Sequence, residues 1–204
     1  MLTYLSGGNF LMNKIFISLL IILVLACSAS AASAKSLVLV FSRADENYQV
    51  GYILKGNTMI LAEYIAEKTG SDLFELKPAK KYPADYDACI DLAKKELNNN
   101  ARPAFLEDKD ISEYDTIFMG YPIWWGDLPM CLYTFIEAHN WEGKKIIPFC
   151  THEGSGMTRT DRNIERAAKG SQVLKGLAMR GATAQNNLNS AKNNIDSWLK
   201  SLGF

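Results

Sequence analysis

Residues 37–41 read Leu-Val-Leu-Val-Phe, a continuous apolar run that contains two β-branched valines. A run of this length and composition is typical of a strand that is buried on both faces. The next periodic segment, residues 57–70, repeats apolar residues at helical spacing and ends at Gly70, which favours a helix. A buried strand followed by an amphipathic helix predicts the first unit of an α/β fold.

The same two patterns alternate five times between residues 35 and 204. Further strands are predicted at 72–76, 115–120, 145–150 and 173–179, and further helices at 87–97, 130–138, 159–169 and 189–202. Because crossovers between parallel strands are right-handed, this alternation predicts one parallel sheet covered by helices on both faces. Such sheets bind ligands beyond the carboxyl ends of their strands. The loops after the first, third and fourth strands are therefore the candidate binding loops.

The first 34 residues differ from the rest of the chain. Asn13 and Lys14 precede the apolar run 15–26, and small residues follow, which is the order of a secretory signal. The run is shorter than the roughly 20 apolar residues of a transmembrane helix. We therefore expect an export signal at residues 1–34, a single folded domain at residues 35–204, and a periplasmic or extracellular location.

Two ways of processing this signal remain open. Ala32-Ser33-Ala34 fits a small-residue cleavage site, which would leave a chain that starts at Lys35. Val24-Leu25-Ala26-Cys27 instead resembles a bacterial lipobox, which would make Cys27 a lipidated N-terminus. A membrane contact is expected only in this second case.

Composition excludes several classes of function. The chain has 22 basic and 22 acidic residues, and removal of residues 1–34 takes away only Lys14, leaving a net charge of 21 − 22 = −1. A nearly neutral domain gives no reason to expect nucleic-acid binding. Within residues 35–204 the three cysteines, Cys89, Cys131 and Cys150, have no C-x-x-C spacing, and the chain has only two histidines, His139 and His152. These residues predict neither a disulfide framework nor a metal site.

The first candidate loop begins with Ser42-Arg43 and reaches the next helix through Gly56-Asn57-Thr58. Hydroxyl and amide side chains beside the free N–H groups of a helix N-terminus form a site for phosphate. The alternative is that Asn57 only caps the helix. The loop has neither a P-loop nor a G-x-G-x-x-G motif, so it does not predict a nucleoside triphosphate or a dinucleotide.

The second candidate loop contains Pro122-Ile123-Trp124-Trp125-Gly126. Neighbouring side chains on an extended segment point in opposite directions, so at most one tryptophan is expected to enter the core. The other would remain near the strand ends, where its ring can stack on a flat ligand. The alternative is that both tryptophans pack over the following helix. Gly126 lets the backbone turn freely beside a ligand.

The third candidate loop is Thr151-His152-Glu153-Gly154-Ser155-Gly156. Glycines and small polar residues allow backbone N–H groups to approach the edge of a ligand, although an ordinary flexible turn has the same composition. No arrangement of serine, cysteine or paired carboxylates here predicts hydrolysis, and we therefore assign no catalytic residue. Cys150 is expected to be a small buried residue of the strand and not a nucleophile.

Taken together, these segments resemble the flavodoxin family, in the branch that has G-x-P-I-W-W-G after the third strand. The resemblance extends from about residue 36 to residue 204 and is most specific at Gly120–Gly126. It implies a flavodoxin-like three-layer α/β sandwich with a five-stranded parallel sheet in the order 2-1-3-4-5. It also implies that the cofactor is non-covalently bound flavin mononucleotide (FMN).

The resemblance also implies roles for the three loops. Ser42, Arg43, Asn57 and Thr58 would hold the phosphate, residues 122–126 would cover one face of the isoalloxazine ring, and residues 151–156 would line its pyrimidine side. In similar proteins a backbone carbonyl of the middle loop turns toward the ring, and the Trp125–Gly126 region is the candidate here. The sequence departs from the family pattern at residues 44–55, an insertion that forms either a flap over the ligand or a surface hairpin.

The implied function is electron transfer by an exported FMN protein, with a redox partner protein or a quinone-like small molecule as its partner. One alternative is an NAD(P)H-dependent reductase of quinones or flavins, and another is a flavin-free module that binds a protein. The near-neutral charge is unlike the acidic docking face of a carrier for basic partners. Because Glu153 and Asp127 lie in the predicted ring-facing loops, we expect a low reduction potential.

Overall fold

The computed structural model describes residues 35–204. The export signal predicted at residues 1–34 lies outside the described residues and stays a prediction. No helix among residues 35–204 combines the length and the apolar character needed to cross a membrane. The strands are β1 (Ser36–Val40), β2 (Asp45–Asn47), β3 (Gly51–Ile53), β4 (Asp72–Glu75), β5 (Thr116–Pro122), β6 (Lys145–His152), β7 (Gln172–Val173) and β8 (Leu177–Arg180). The helices are α1 (Asn57–Thr69), α2 (Tyr86–Asn98), α3 (Met130–Ala138), α4 (Thr160–Ala167), α5 (Gly181–Asn186) and α6 (Leu188–Leu202).

The main sheet is parallel throughout and has the order β4-β1-β5-β6-β7, with β8 also paired to β6. This confirms the predicted α/β sandwich and its order 2-1-3-4-5, because β7 and β8 together occupy the place of the fifth strand. Strand β4 lies at one edge of the sheet. Strands β2 and β3 form a separate antiparallel hairpin within the insertion.

The fifth strand is divided where Pro148 of β6 faces it. Strand β7 pairs with the start of β6, and β8 pairs with Phe149–His152 at its end. Between them the chain passes so close that a Cβ atom on Gly176 would lie 2.6 Å from the carbonyl oxygen of Pro148. A proline has no N–H to donate to a neighbouring strand. The single strand predicted at 173–179 is therefore two short strands.

Helices cover both faces of the sheet because the side chains of β1 alternate between two cores. Leu37 and Leu39 pack in the core under α2, α3 and α4, whereas Val38 and Val40 pack in the core under α1, α5 and α6. All four side chains are fully buried. Residues 37–40 of this apolar run thus form the doubly buried strand that the sequence predicts.

Two central strands are longer than predicted. Strand β5 continues to Pro122 and β6 continues to His152, and their ladder includes the pairs Tyr121–Cys150 and Pro122–Thr151. Pro122, Thr151 and His152 are therefore strand residues and not loop residues. Because the ends of paired parallel strands lie side by side, this extension brings two of the predicted binding segments together.

Candidate functional site

A cavity of about 300 Å³ lies at the carboxyl ends of β1, β5 and β6. All three candidate loops contribute to it, which is the convergence expected for a parallel sheet. The predicted residues that line it are Arg43, Asn57, Pro122, Ile123, Trp124, Trp125, Thr151, His152 and Glu153. The residues that line it without having been predicted are Asn47, Tyr48, Tyr86, Cys89, Ile90, Ala93 and Gly181.

Ser42 and Thr58, predicted as phosphate ligands, are placed behind the wall of the cavity. The Ser42 hydroxyl accepts a hydrogen bond from the Met59 N–H at 3.0 Å, in the first turn of α1. The Thr58 hydroxyl is buried and lies 2.7 Å from the hydroxyl of Thr151, at the end of β6. The two side chains therefore fix the first turn of α1 against β1 and β6.

Four further predicted residues do not line the cavity. Gly154 and Ser155 are exposed and Gly156 is half-buried. The Gly126 carbonyl accepts a hydrogen bond of 2.7 Å from the Thr158 hydroxyl. Trp125 and Gly126 both have positive φ angles, of 51° and 79°, so the chain reverses there. Gly126 tolerates this conformation at little cost, as predicted from its lack of a side chain.

The two adjacent tryptophans separate as the sequence predicts. Trp124 packs edge-on against Phe41 and Tyr82, with ring centroids 5.3 and 4.8 Å apart, and joins the core. Trp125 remains 49% exposed at the cavity. Its indole N–H donates to the Ile90 carbonyl at 2.8 Å, and the Lys94 ammonium lies 4.5 Å from its ring centroid. The cavity is thus bounded by one half-buried and one exposed aromatic ring.

Arg43 holds the insertion in place. Its terminal guanidinium nitrogens donate to the carbonyl oxygens of Glu46, Pro83 and Ala84, of which the last two lie at 2.6 and 2.8 Å. The Glu46 carboxylate in turn accepts from the Tyr86 N–H at 3.1 Å. The hairpin β2–β3 is therefore tied to the segment that leads into α2. Both terminal nitrogens are engaged in this anchor and are not directed at a phosphate.

The anchored hairpin adds Asn47 and Tyr48 to the rim of the cavity. The Tyr48 ring is stacked with that of Tyr86 at the start of α2, with a centroid distance of 6.0 Å and an interplanar angle of 27°. Of the two predicted forms of the insertion, the structure has a hairpin, and this hairpin also lines the site. Surface tyrosines in an insertion were a signal that could have identified Tyr48 beforehand.

Three buried side-chain atoms within residues 35–204 have no hydrogen-bond partner, and all three belong to residues that line this cavity. They are Nε of Arg43, Oδ1 of Asn57 and Oε2 of Glu153. The other carboxylate oxygen of Glu153 accepts from the Ala182 N–H at 2.7 Å, and Arg180 approaches Oε2 only to 4.0 Å. An unpartnered buried polar atom costs about 1–3 kcal/mol, so each of the three atoms calls for a partner from outside the chain: ordered water, an ion or a ligand.

Asp127 does not line the cavity, so the prediction that its carboxylate lies at the flavin ring was wrong. Its carboxylate accepts hydrogen bonds from the Tyr133 hydroxyl and the Asn163 amide, both at 2.8 Å, and it lies in a different surface pocket beside α3 and α4. The physical reason is that the turn at Trp125–Gly126 redirects the chain before residue 127. Of the two acidic residues expected at the ring, only Glu153 lines the cavity.

The thiols near the site are not nucleophiles at neutral pH. Burial raises the pKa of the Cys150 thiol to about 12, and burial also raises the pKa of the Cys89 thiol. Cys150 is fully buried within β6, as expected from its position in a predicted strand. The site therefore offers hydrogen-bonding groups and flat apolar surfaces, but no activated nucleophile.

One face of helix α2 forms the remaining wall of the cavity, and its residues recur at helical spacing in the sequence. The residues at helical positions i, i+3, i+4 and i+7 that face the cavity are Tyr86, Cys89, Ile90 and Ala93. This spacing defines one face of a helix, so the pattern was visible beforehand, although its contact with the binding loops was not. Gly181 reaches the cavity from beyond β8, and no local signal identifies it.

Solved structures of other proteins share this fold. A structure from Bacteroides eggerthii DSM 20697, provisionally named a flavoprotein, is 28% identical over 84% of this chain and 99% of its own, with a TM-score of 0.67. A provisionally named flavoprotein from Bacteroides uniformis ATCC 8492 is 30% identical over 80% of this chain and 98% of its own, with a TM-score of 0.63.

A flavoprotein of Lactobacillus acidophilus NCFM, solved in complex with FMN, shares the fold at 22% identity, with a TM-score of 0.57 over 81% of this chain and 99% of its own. No curated protein matches the sequence. Residues 48–195, more than half of the chain, match the sequence profile of flavodoxins. The chain belongs to the flavodoxin family.

Proposed function

We propose that this protein binds FMN in the cavity at the ends of β1, β5 and β6 and uses it to transfer electrons. The observation that carries the proposal is the set of unpartnered buried atoms on Arg43, Asn57 and Glu153, in a cavity bounded by Trp124 and Trp125. The family, and the FMN complex of the similar Lactobacillus protein, support the same cofactor.

The chemistry of FMN fits these residues. Its ribityl hydroxyls can donate to the two unpartnered acceptors, Oδ1 of Asn57 and Oε2 of Glu153. Its flat ring system suits the tryptophan surfaces. The start of α1 suits its phosphate, because the N-cap residue Gly56 has no side chain and the N–H groups of Asn57 and Thr58, unlike that of Met59, have no partner within the helix. Bound FMN would supply the redox chemistry, while these residues bind and orient it.

The first test is visible absorption of the purified protein mixed with FMN. We expect resolved flavin bands together with quenched flavin fluorescence, because the ring would lie beside Trp124 and Trp125. The change in fluorescence with FMN concentration gives the dissociation constant. A colourless protein and fully fluorescent free FMN would contradict the proposal and favour the flavin-free binding module. Steady oxidation of NAD(P)H by the flavin-loaded protein would instead favour the reductase.

Glu153 is expected to lower the reduction potential of the bound flavin. Reduction adds negative charge to the ring system, and a nearby carboxylate disfavours that charge. Glu153→Gln should therefore raise the two-electron midpoint potential by about 30 mV for each tenfold change in the relative affinity for the reduced form. Redox titration of the flavin-loaded variant measures this shift.

The matched control for this experiment is Glu165→Gln, on the exposed face of α4. Glu165 does not line the cavity, so its replacement should leave the midpoint unchanged. Equal midpoints for wild type, Glu153→Gln and Glu165→Gln would remove Glu153 from the electrostatics of the ring.

A further inference from the structure

His152 is the last residue of β6, and its side chain lines the cavity. Its Nδ1 atom lies 2.9 Å from the backbone nitrogen of Gly154, in a hydrogen bond that the Gly154 N–H donates. A backbone amide nitrogen can only donate, so Nδ1 of His152 must be the acceptor and cannot carry a proton. In a neutral imidazole the proton then resides on Nε2, the nitrogen that the loop leaves free.

The surroundings of His152 keep this ring neutral. Partial burial lowers the pKa of His152, and the nearby guanidinium of Arg180 lowers it further, while the carboxylate of Glu153 opposes them. The net effect is a pKa below the ordinary value of a histidine. At neutral pH the side chain is therefore an uncharged ring with one N–H group.

We propose that the Nε2–H group of His152 donates a hydrogen bond to the flavin bound in the cavity, and that this bond stabilises the reduced flavin. The inference rests on the FMN binding proposed above. The ring system of a flavin has carbonyl oxygens and unprotonated nitrogens that accept such a bond. Reduction increases their negative charge, and hydrogen bonds to charged groups are stronger than those to neutral groups. The proton stays on Nε2 throughout, so His152 acts as a hydrogen-bond donor and not as an acid.

His152 and Glu153 would then act in opposite directions on the same cofactor. Two adjacent residues at the end of one strand would present a donor that favours reduction and a carboxylate that disfavours it. The structure also explains why a neutral donor is useful here: a charged imidazolium could not accept the Gly154 N–H, so the bond that orders the loop would be lost.

The tautomer of His152 can be measured directly by nitrogen-15 NMR of the imidazole rings. The chain has only one other histidine, His139, so the two signals can be assigned with a His139→Gln variant. His139 is an internal contrast, because its Nδ1 lies 2.8 Å from the Phe135 carbonyl oxygen and must therefore carry a proton. We expect the Nε2–H tautomer for His152 at neutral pH. An Nδ1–H tautomer or a charged ring would overturn the proposal without any reference to flavin.

Two conservative variants separate the proposed role from a merely structural one. The side-chain amide N–H of glutamine lies near the position of the histidine Nε2–H. The shorter side chain of asparagine places its amide only near the position of Nδ1. His152→Gln should therefore keep the midpoint potential within a few millivolts, while His152→Asn should weaken the relative affinity for reduced flavin about tenfold, a fall of about 30 mV. If His152 serves only to order the loop through Nδ1, His152→Asn should keep the midpoint potential, because asparagine can still accept the Gly154 N–H, and His152→Gln should change it.

The outcomes separate the two proposals. A wild-type protein that stays colourless with FMN overturns the proposed cofactor, and this inference with it. If the wild type binds FMN but both His152 variants have the same midpoint potential as the wild type, only the proposed role of His152 is overturned. If a variant fails to fold, the tautomer measured in the wild type still decides whether Nε2–H is present.

Discussion

Replacing Gly120 with alanine is expected to destabilise the protein by about 3 kcal/mol, at the upper end of the usual range for overpacked cores. Gly120 lies in the middle of β5, paired on one side with Val40 and on the other with Phe149. A Cβ atom on Gly120 would lie 2.2 Å from Cζ of the fully buried Phe149 ring. Because Gly120 and the Phe149 ring are both buried in the centre of the sheet, relieving this contact requires the surrounding core to shift. Urea unfolding followed by circular dichroism measures the loss.

A double-mutant cycle with Phe149→Leu tests whether the ring is the cause. The smaller side chain removes the clash, so the double variant should lose less stability than the sum of the two single variants, by about 1 kcal/mol or more. Strict additivity of the two losses would show that the contact with Phe149 is not responsible.

Replacing Gly181 with alanine is expected to weaken FMN binding at least about tenfold, which corresponds to about 1.4 kcal/mol. Gly181 is the first residue of α5 and has an ordinary backbone conformation, so the backbone itself tolerates alanine. The added Cβ would lie 2.2 Å from Nδ2 of Asn57 and 2.9 Å from Oε1 of Glu153. Both side chains hold unpartnered atoms in the cavity and would be displaced together. Fluorescence titration with FMN measures the change.

Two comparisons identify the origin of this loss. Asn57→Ala should also weaken binding, and the Gly181→Ala/Asn57→Ala double variant should bind no more weakly than the weaker single variant, because the side chain that is displaced is then absent. Gly203→Ala, in the C-terminal cap of α6 with open space around its Cα, should leave the affinity unchanged. An unchanged affinity in Gly181→Ala would mean that Asn57 and Glu153 do not contact the flavin.

The sequence predicts the individual strands and helices well because the signals involved are local, whereas the order of the strands in the sheet follows only from the resemblance to flavodoxins. The run 37–41, the helical stripe that ends at Gly70 and the apolar segments of the central strands each specify one element through its own periodicity. The division of the last strand was not predicted, because it depends on the position of Pro148 opposite residues far along the chain. Helix α5 was not predicted either. It has only six residues, which is too short for a periodic apolar pattern to be visible in the sequence.

The site was predicted less completely than the fold. Residues at strand ends, such as Thr151 and Trp124, were identified because a parallel sheet brings its carboxyl ends together. The orientation of Arg43 was not predictable, since it depends on carbonyl groups about forty positions away. Asp127 shows the same limit: its sequence neighbour Trp125 lines the cavity, but a turn with two positive φ angles sends the carboxylate elsewhere.

The division of the last strand at Pro148 also shortens the edge that the sheet offers to a strand of another chain. An edge strand with a long row of free N–H and C=O groups is a template on which another chain can add a strand. On this side of the sheet the edge consists of β7, with two residues, and β8, with four, separated by a gap. The opposite edge, β4, has only four residues and carries an acidic residue at each end. Both borders of the sheet are thus too short or too charged for edge-to-edge aggregation, even though its centre is a long, apolar parallel ladder.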